Sequence, residues 1–267
     1  MYAPDQHVQR YGNLITTNSL GMRSPEPDTT IGIRILYLGD SVINGGMNTS
    51  QDNLSSKILA DSLSRIFGKK VNVLNISAGS WGPDNAAAFL NTHGTFNANA
   101  MVMVFSSHDA FDNMDFEPVV GKNVHYPEHE PFSAISEVFL RYIGPWFGNV
   151  FGIDNGTGEK LMINQQRKIF NSGWMELSEI ANRKHIPLLV VLHAEQNELI
   201  KGAYNRYGLR IIDTLETHHI SYLKDMNWGI GPEQYRDFIH LNDEGQLFLA
   251  EHLVRPVEEI LRTPASK

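Results

Sequence analysis

Ile33-Arg-Ile-Leu-Tyr-Leu-Gly-Asp-Ser41 opens the regular part of the chain, and its reading decides the fold. Ile33–Leu38 is a short apolar run rich in branched and aromatic side chains, which predicts a strand. It lacks polar alternation, so the strand is expected to be buried on both faces, as in parallel sheets. Gly39-Asp40-Ser41 ends it with a turn. Leu54, Ile58, Leu59, Leu63, Ile66 and Phe67 then recur at helical spacing, and Gly68 supplies a stop. Val71–Ile76 is a second apolar run, and a helix begins near Asp84 behind Pro83. Ala100–Phe105 is a third run.

The alternation resumes further on. Ile169, Phe170, Trp174, Leu177, Ile180 and Ala181 predict a helix, Pro187–Leu192 a fourth strand, and Leu209–Ile212 a weaker fifth. Leu247, Ala250, Leu253, Val257, Ile260 and Leu261 predict a final helix, kinked at Pro256. Strands separated by helices imply right-handed crossovers. The expected fold is therefore α/β: a three-layer α/β/α sandwich around a central, mostly parallel five-stranded sheet. Residues 1–30, rich in Gly, Pro, Asn and Thr, read as an irregular extension, and 31–267 as a single domain. Between 106 and 164 lies a long insertion of Gly, Pro, His, acids and aromatics, with one helix expected near Ser133–Tyr142. Loops this long usually carry function.

Composition excludes several functions. The chain has 267 residues and no cysteine, which rules out thiolate catalysis, disulfide scaffolds and Cys-ligated metals. A formal net charge of -8 argues against nucleic acid or an anionic membrane as partner. No run of apolar residues is long enough for a membrane span, and residues 1–27 lack the apolar centre of a signal peptide.

In parallel sheets, ligands bind beyond the carboxyl ends of the strands. Four segments lie there: Asp40-Ser41, Ser77–Gly82, Ser106–Asp109 and His193 onward. Near the C-terminus stands Asp237-Phe-Ile-His240-Leu-Asn, with Asn242 or Asp243 placed to cap the final helix. An Asp three residues before a His can reach the imidazole Nδ1 and leave Nε2 free for a hydroxyl proton.

Leu36-Tyr-Leu-Gly-Asp-Ser-Val, Asn75-Ile-Ser-Ala-Gly-Ser and Asp237-x-x-His240-Leu-Asn together resemble the sequence blocks of the SGNH hydrolases, the GDSL esterase/lipase family. The resemblance runs from Ile33 to about Leu253. Asn18-Ser-Leu-Gly-Met-Arg23 further resembles the lead-in of a bacterial subgroup with members that act on acylated polysaccharides. It implies a flavodoxin-like sheet and a serine esterase for a short acyl ester, O-acetyl on a carbohydrate being the best fit. Ser41 would be the nucleophile, His240 the base and Asp237 its orienter. The oxyanion hole would use the backbone of Ser41 and Gly79. The family's third block normally offers an Asn side chain; here Ser106-Ser-His108-Asp109 puts His108 at that position. The resemblance implies no cofactor and no metal. The alternatives are an O-acetyltransferase using the same three residues, and a silent carbohydrate-binding domain.

The remaining candidates are weaker. Asp40 and Asp109 read first as a turn cap and a structural acceptor; with Trp81 and His193 they complete the candidate substrate-binding lining. His125-Tyr-Pro-Glu-His129-Glu130 reads as a solvated, substrate-facing loop rather than a metal site. Gly39–Gly46 lacks the Lys-Ser/Thr of a phosphate-binding loop. Phe116, Tyr126, Phe132, Trp146 and Phe147 are expected at or near the cleft, with Trp81 and Phe111.

Overall fold

The computed structural model describes residues 2–28, 30, 32–113 and 169–263, which belong to one compact unit. A hairpin of β1 (His7–Arg10) and β2 (Asn13–Thr16) comes first. The main sheet is built from β3 (Ile33–Gly39), β4 (Val71–Ser77), β5 (Ala100–Ser106), β6 (Leu188–His193) and β7 (Tyr222–Lys224). Its order is β4-β3-β5-β6-β7, and each pairing is parallel. All seven residues of β3, of β4 and of β5 are buried, as strands covered on both faces must be.

Two apolar layers flank the sheet. On one face α2 (Ser55–Phe67) packs with the last helix, α7 (Asp243–Arg262), through Leu59, Leu63, Leu249, Leu253 and Val257. On the other, α3 (Pro83–His93) packs with α4 (Gly173–Arg183) through Ala86, Leu90, Trp174 and Leu177. Full burial of a Leu- or Phe-sized side chain contributes about 1.5–3 kcal/mol. The observed architecture is the expected three-layer α/β/α sandwich.

Four expectations need correction. Leu209–Ile212 is not a strand but the middle of α6 (Arg206–Thr217), which follows the short α5 (Gln196–Lys201). A four-residue window cannot distinguish the two; Gly208, Ile211 and Leu215 are the buried positions, at helical spacing. The fifth strand is β7, whose three half-buried residues give almost no apolar signal. Ile169 and Phe170 precede α4 rather than starting it, and Ile169 is exposed. Within residues 1–30 the chain forms the hairpin, paired in register from His7–Thr16 to Arg10–Asn13. The helix expected at Ser133–Tyr142, the His125–Glu130 loop, and Phe116, Tyr126, Phe132, Trp146 and Phe147 lie outside the described residues.

The order β4-β3-β5 places the sheet's switch point between β3 and β5, where successive crossovers leave toward opposite faces. Their carboxyl ends carry Asp40-Ser41 and Ser107–Asp109. This is what brings segments far apart in sequence to one place.

Candidate active site

Ser41 begins α1 (Ser41–Asn44), a single helical turn set at the end of β3. The turn is tight because Gly39 has no side chain: a Cβ there would stand 2.5 Å from the Val104 carbonyl oxygen. Asp40 caps it, its Oδ1 accepting from the Val42 N–H at 2.8 Å. Gly45 closes it in the left-handed region, φ 72°. Three buried amides hold this turn. Gln246 Nε2 donates to the Val42 carbonyl at 2.6 Å, Asn75 Nδ2 to the Ile43 carbonyl at 2.9 Å, and Asn44 Nδ2 to the Ser77 carbonyl at 3.0 Å. Arg23, from the lead-in segment, is fully buried beneath the following loop. Its Nη1 donates to the carbonyls of Asn44 (2.9 Å) and Gly46 (2.6 Å), and its Nη2 to that of Thr49 (2.9 Å).

His240 Nε2 lies 2.8 Å from Ser41 Oγ. On the other side of the ring, Nδ1 lies 2.8 Å from Asp237 Oδ2 and 3.0 Å from Oδ1. Asp237 Oδ1 also accepts from the N–H groups of Ile239 (3.0 Å) and His240 (2.8 Å). Partial burial would raise this carboxyl; the two N–H groups and the imidazole outweigh that and hold it below the usual carboxylate range. A hydroxyl, an imidazole and a carboxylate in this series can pass a proton from the first to the second while the third fixes the ring.

The loop bearing Asp237 and His240 rests on a buried pair. His193, at the end of β6, directs Nδ1 to Asp225 Oδ2 and donates from Nε2 to the Ile239 carbonyl at 2.9 Å. Asp225 Oδ1 accepts from the Ala194 N–H at 2.9 Å. The Tyr235 ring stacks on the imidazole at 5.4 Å. Burial would lower the His193 value, but Asp225 and the Ile239 carbonyl raise it, which favours the imidazolium. His193 is fully buried with both nitrogens engaged, so it does not line a cleft as the sequence suggests. As the last strand residue its side chain follows the two-residue alternation of β6 into the core.

His108 sits in the short turn after β5 with 29% of its side chain exposed. Its Nε2 is 3.6 Å from Asp40 Oδ2 and 3.6 Å from Asp109 Oδ1; its Nδ1 is 3.7 Å from Glu195 Oε1. Burial alone would lower its value, but Asp109, Glu195, Asp40 and Asp112 push it up to about 10. Asp109 is fully buried, which drives its carboxyl well above the usual range, and burial carries Asp112 to about 6. Glu195 is held by Glu198, whose Oε2 accepts the Glu195 N–H at 2.9 Å while Oε1 accepts from Ser107 Oγ at 2.6 Å.

Gly79 is exposed in the turn after β4, and a Cβ built on it meets nothing within 4 Å. Crowding by neighbours therefore does not account for the glycine. Trp81 lies half-buried against Phe89, ring centroids 6.1 Å apart. Phe238, between Asp237 and His240, is 67% exposed. Sequence reasoning passed over Asp225 and Gln246, because their contacts join segments distant along the chain, and over Phe238, whose exposure the sequence does not show.

No family model matches the chain, and no curated protein matches it. Solved structures do. A two-domain esterase active on acetylated mannans, co-crystallised with mannopentaose, superposes with a TM-score of 0.51 at 12% identity over 88% of this chain. This chain spans 51% of that esterase's length. A lipase/acylhydrolase from Enterococcus faecalis gives a TM-score of 0.47 at 11% identity, covering 88% of this chain and 100% of the other. An acetyl xylan esterase from Geobacillus stearothermophilus gives 0.47 at 11%, covering 89% and 98%. Sheet order, layers and the superposition on the mannan esterase agree that the fold is a three-layer α/β/α sandwich.

Proposed function

We propose that the protein is a serine esterase that removes a short acyl group, acetyl by preference, from a carbohydrate ester. The observation that carries this reading is the series Ser41 Oγ, His240 Nε2, His240 Nδ1, Asp237 Oδ2, with 2.8 Å at both polar contacts. Ser41 Oγ attacks the ester carbonyl carbon as its proton passes to His240 Nε2. The tetrahedral adduct collapses, the C–O bond to the alcohol breaks, and His240 returns the proton to the departing oxygen. Water, deprotonated by His240, then attacks the acyl-enzyme and releases the acid and Ser41.

The oxyanion is held by the backbone N–H groups of Ser41 and Gly79, the second in an exposed turn after β4. His108 stands where the resembling family has an amide donor, with both its nitrogens facing carboxylates. Phe238, exposed and two residues before His240, offers an aromatic face to a sugar ring. Support for an acetylated carbohydrate comes from the fold shared with the mannan esterase together with this exposed ring.

Acetate release from an acetylated mannooligosaccharide tests the proposal. Ser41→Ala and His240→Ala should each lower kcat by about 10⁴–10⁶-fold while leaving the circular dichroism spectrum unchanged. Undiminished release by either variant would refute it. Phe238→Ala should raise KM for the oligosaccharide more than for p-nitrophenyl acetate.

A further inference from the structure

We propose that Asp40 Oδ2, Asp109 Oδ1 and His108 Nε2 form a three-ligand site for a divalent first-row transition cation, zinc by preference. These three groups, one from each, lie together within 4.8 Å. Their spacing is informative. The His108 nitrogen is 3.6 Å from both oxygens, beyond the ~2.7–3.2 Å of an N–H···O bond. Ligand atoms ~2.0–2.1 Å from a common zinc ion stand roughly 3.3–3.6 Å apart.

The carboxylates are already oriented. Asp40 Oδ1 takes the Val42 N–H at 2.8 Å, and Asp109 Oδ2 takes the Ser106 N–H at 2.8 Å. The second oxygen of each is buried and has no hydrogen-bond partner among the described residues. Both point at the same imidazole nitrogen, which is the arrangement of ligands awaiting a cation rather than of satisfied acceptors. Behind the ring, Glu195 Oε1 faces Nδ1 from 3.7 Å, longer than a direct hydrogen bond but on the side from which an outer carboxylate orients a metal-bound histidine. Three carboxylates surround one imidazole, and Asp112 adds a buried fourth nearby. A proton on His108 offsets one of these charges, whereas a divalent ion offsets two. Three protein ligands leave a coordination position open, and the exposed part of His108 gives a route in. One imidazole with two carboxylates suits Zn²⁺ or Mn²⁺ better than Mg²⁺, which prefers all-oxygen shells. The ligands sit on two different strand ends and carry no contiguous motif, so the sequence shows no such site. The inference does not depend on the esterase reading.

Isothermal titration of chelator-treated protein with ZnSO₄, MnCl₂ and MgCl₂, checked by native mass spectrometry, tests it. One zinc per chain is expected, with manganese weaker and magnesium silent. Asp109→Asn and His108→Gln should each weaken zinc by about 100-fold or more. Glu195→Gln, a milder change at an outer position, should weaken it by about 10–100-fold. A folded wild-type protein that takes up no zinc overturns the proposal, leaving a proton on His108 in the ion's place. Zinc uptake unchanged by Glu195→Gln and His108→Gln also overturns it, because the ion would then sit elsewhere.

Discussion

Asp237 and His240 show what one side chain can reveal by its spacing. Three residues apart, they meet through local geometry alone, so their contact is readable from sequence. Ser41 is readable because an apolar strand and a Gly-Asp turn deliver it to the sheet's carboxyl edge. His193 was not readable: whether a strand-end side chain faces cleft or core depends on the strand's parity, and apolar composition does not give that. Asp237 carries a residue-scale prediction. Its carboxyl is held below the usual range, so it stays ionised as pH falls, and the acid limb of a pH–rate profile should belong to another group. Asp237→Asn keeps the acceptor for the Ile239 and His240 N–H groups but loses the charge beside the imidazole. We expect kcat to fall by about 10³–10⁴-fold with the melting temperature nearly unchanged.

At the scale of elements, two buried groups hold the turns that carry these side chains. Arg23 fastens the chain from Asn44 to Thr49 by three carbonyls. Arg23→Met should leave those oxygens without partners and cost about 3 kcal/mol, with faster amide exchange concentrated at 44–51. Unchanged exchange there would contradict this. The pair of His193 and Asp225 supports the loop from Asp237 to His240. Because the folded protein holds the His193 proton more tightly than the unfolded chain, this contribution is complete below the ordinary imidazole value, near pH 6.5. It is lost as pH rises through the raised folded value. Asp225 and the stacked Tyr235 face the ring directly, with Asp40 acting from further away. Urea midpoints at pH 6 and pH 9 should therefore differ more for wild type than for His193→Asn. Equal differences would exclude a charged pair. The long, periodic elements α2, α4 and α7 were legible because each repeats its apolar spacing over several turns. β7 and α6 were not, since three residues of strand and a four-residue window carry too little pattern.

For the whole molecule, the sheet order explains why the site lies where it does. β3 and β5 are adjacent, and the connections that leave them pass to opposite faces, so Ser41 and His108 come to neighbouring strand ends. Alternation of strands and helices made this topology legible, because parallel crossovers have one hand. Pairing across the final strands was not, as it rests on contacts between distant segments. Among the described residues no helix is long and apolar enough to cross a membrane. The central claim is that the fold converts Ser41 from an ordinary hydroxyl into a nucleophile, and a fluorophosphonate probe reports that whatever the natural ester. Intact mass of wild type and Ser41→Ala after exposure is the most direct measurement. We predict one adduct on wild type and none on the variant. An unmodified wild type, or an adduct surviving in Ser41→Ala, would contradict the account.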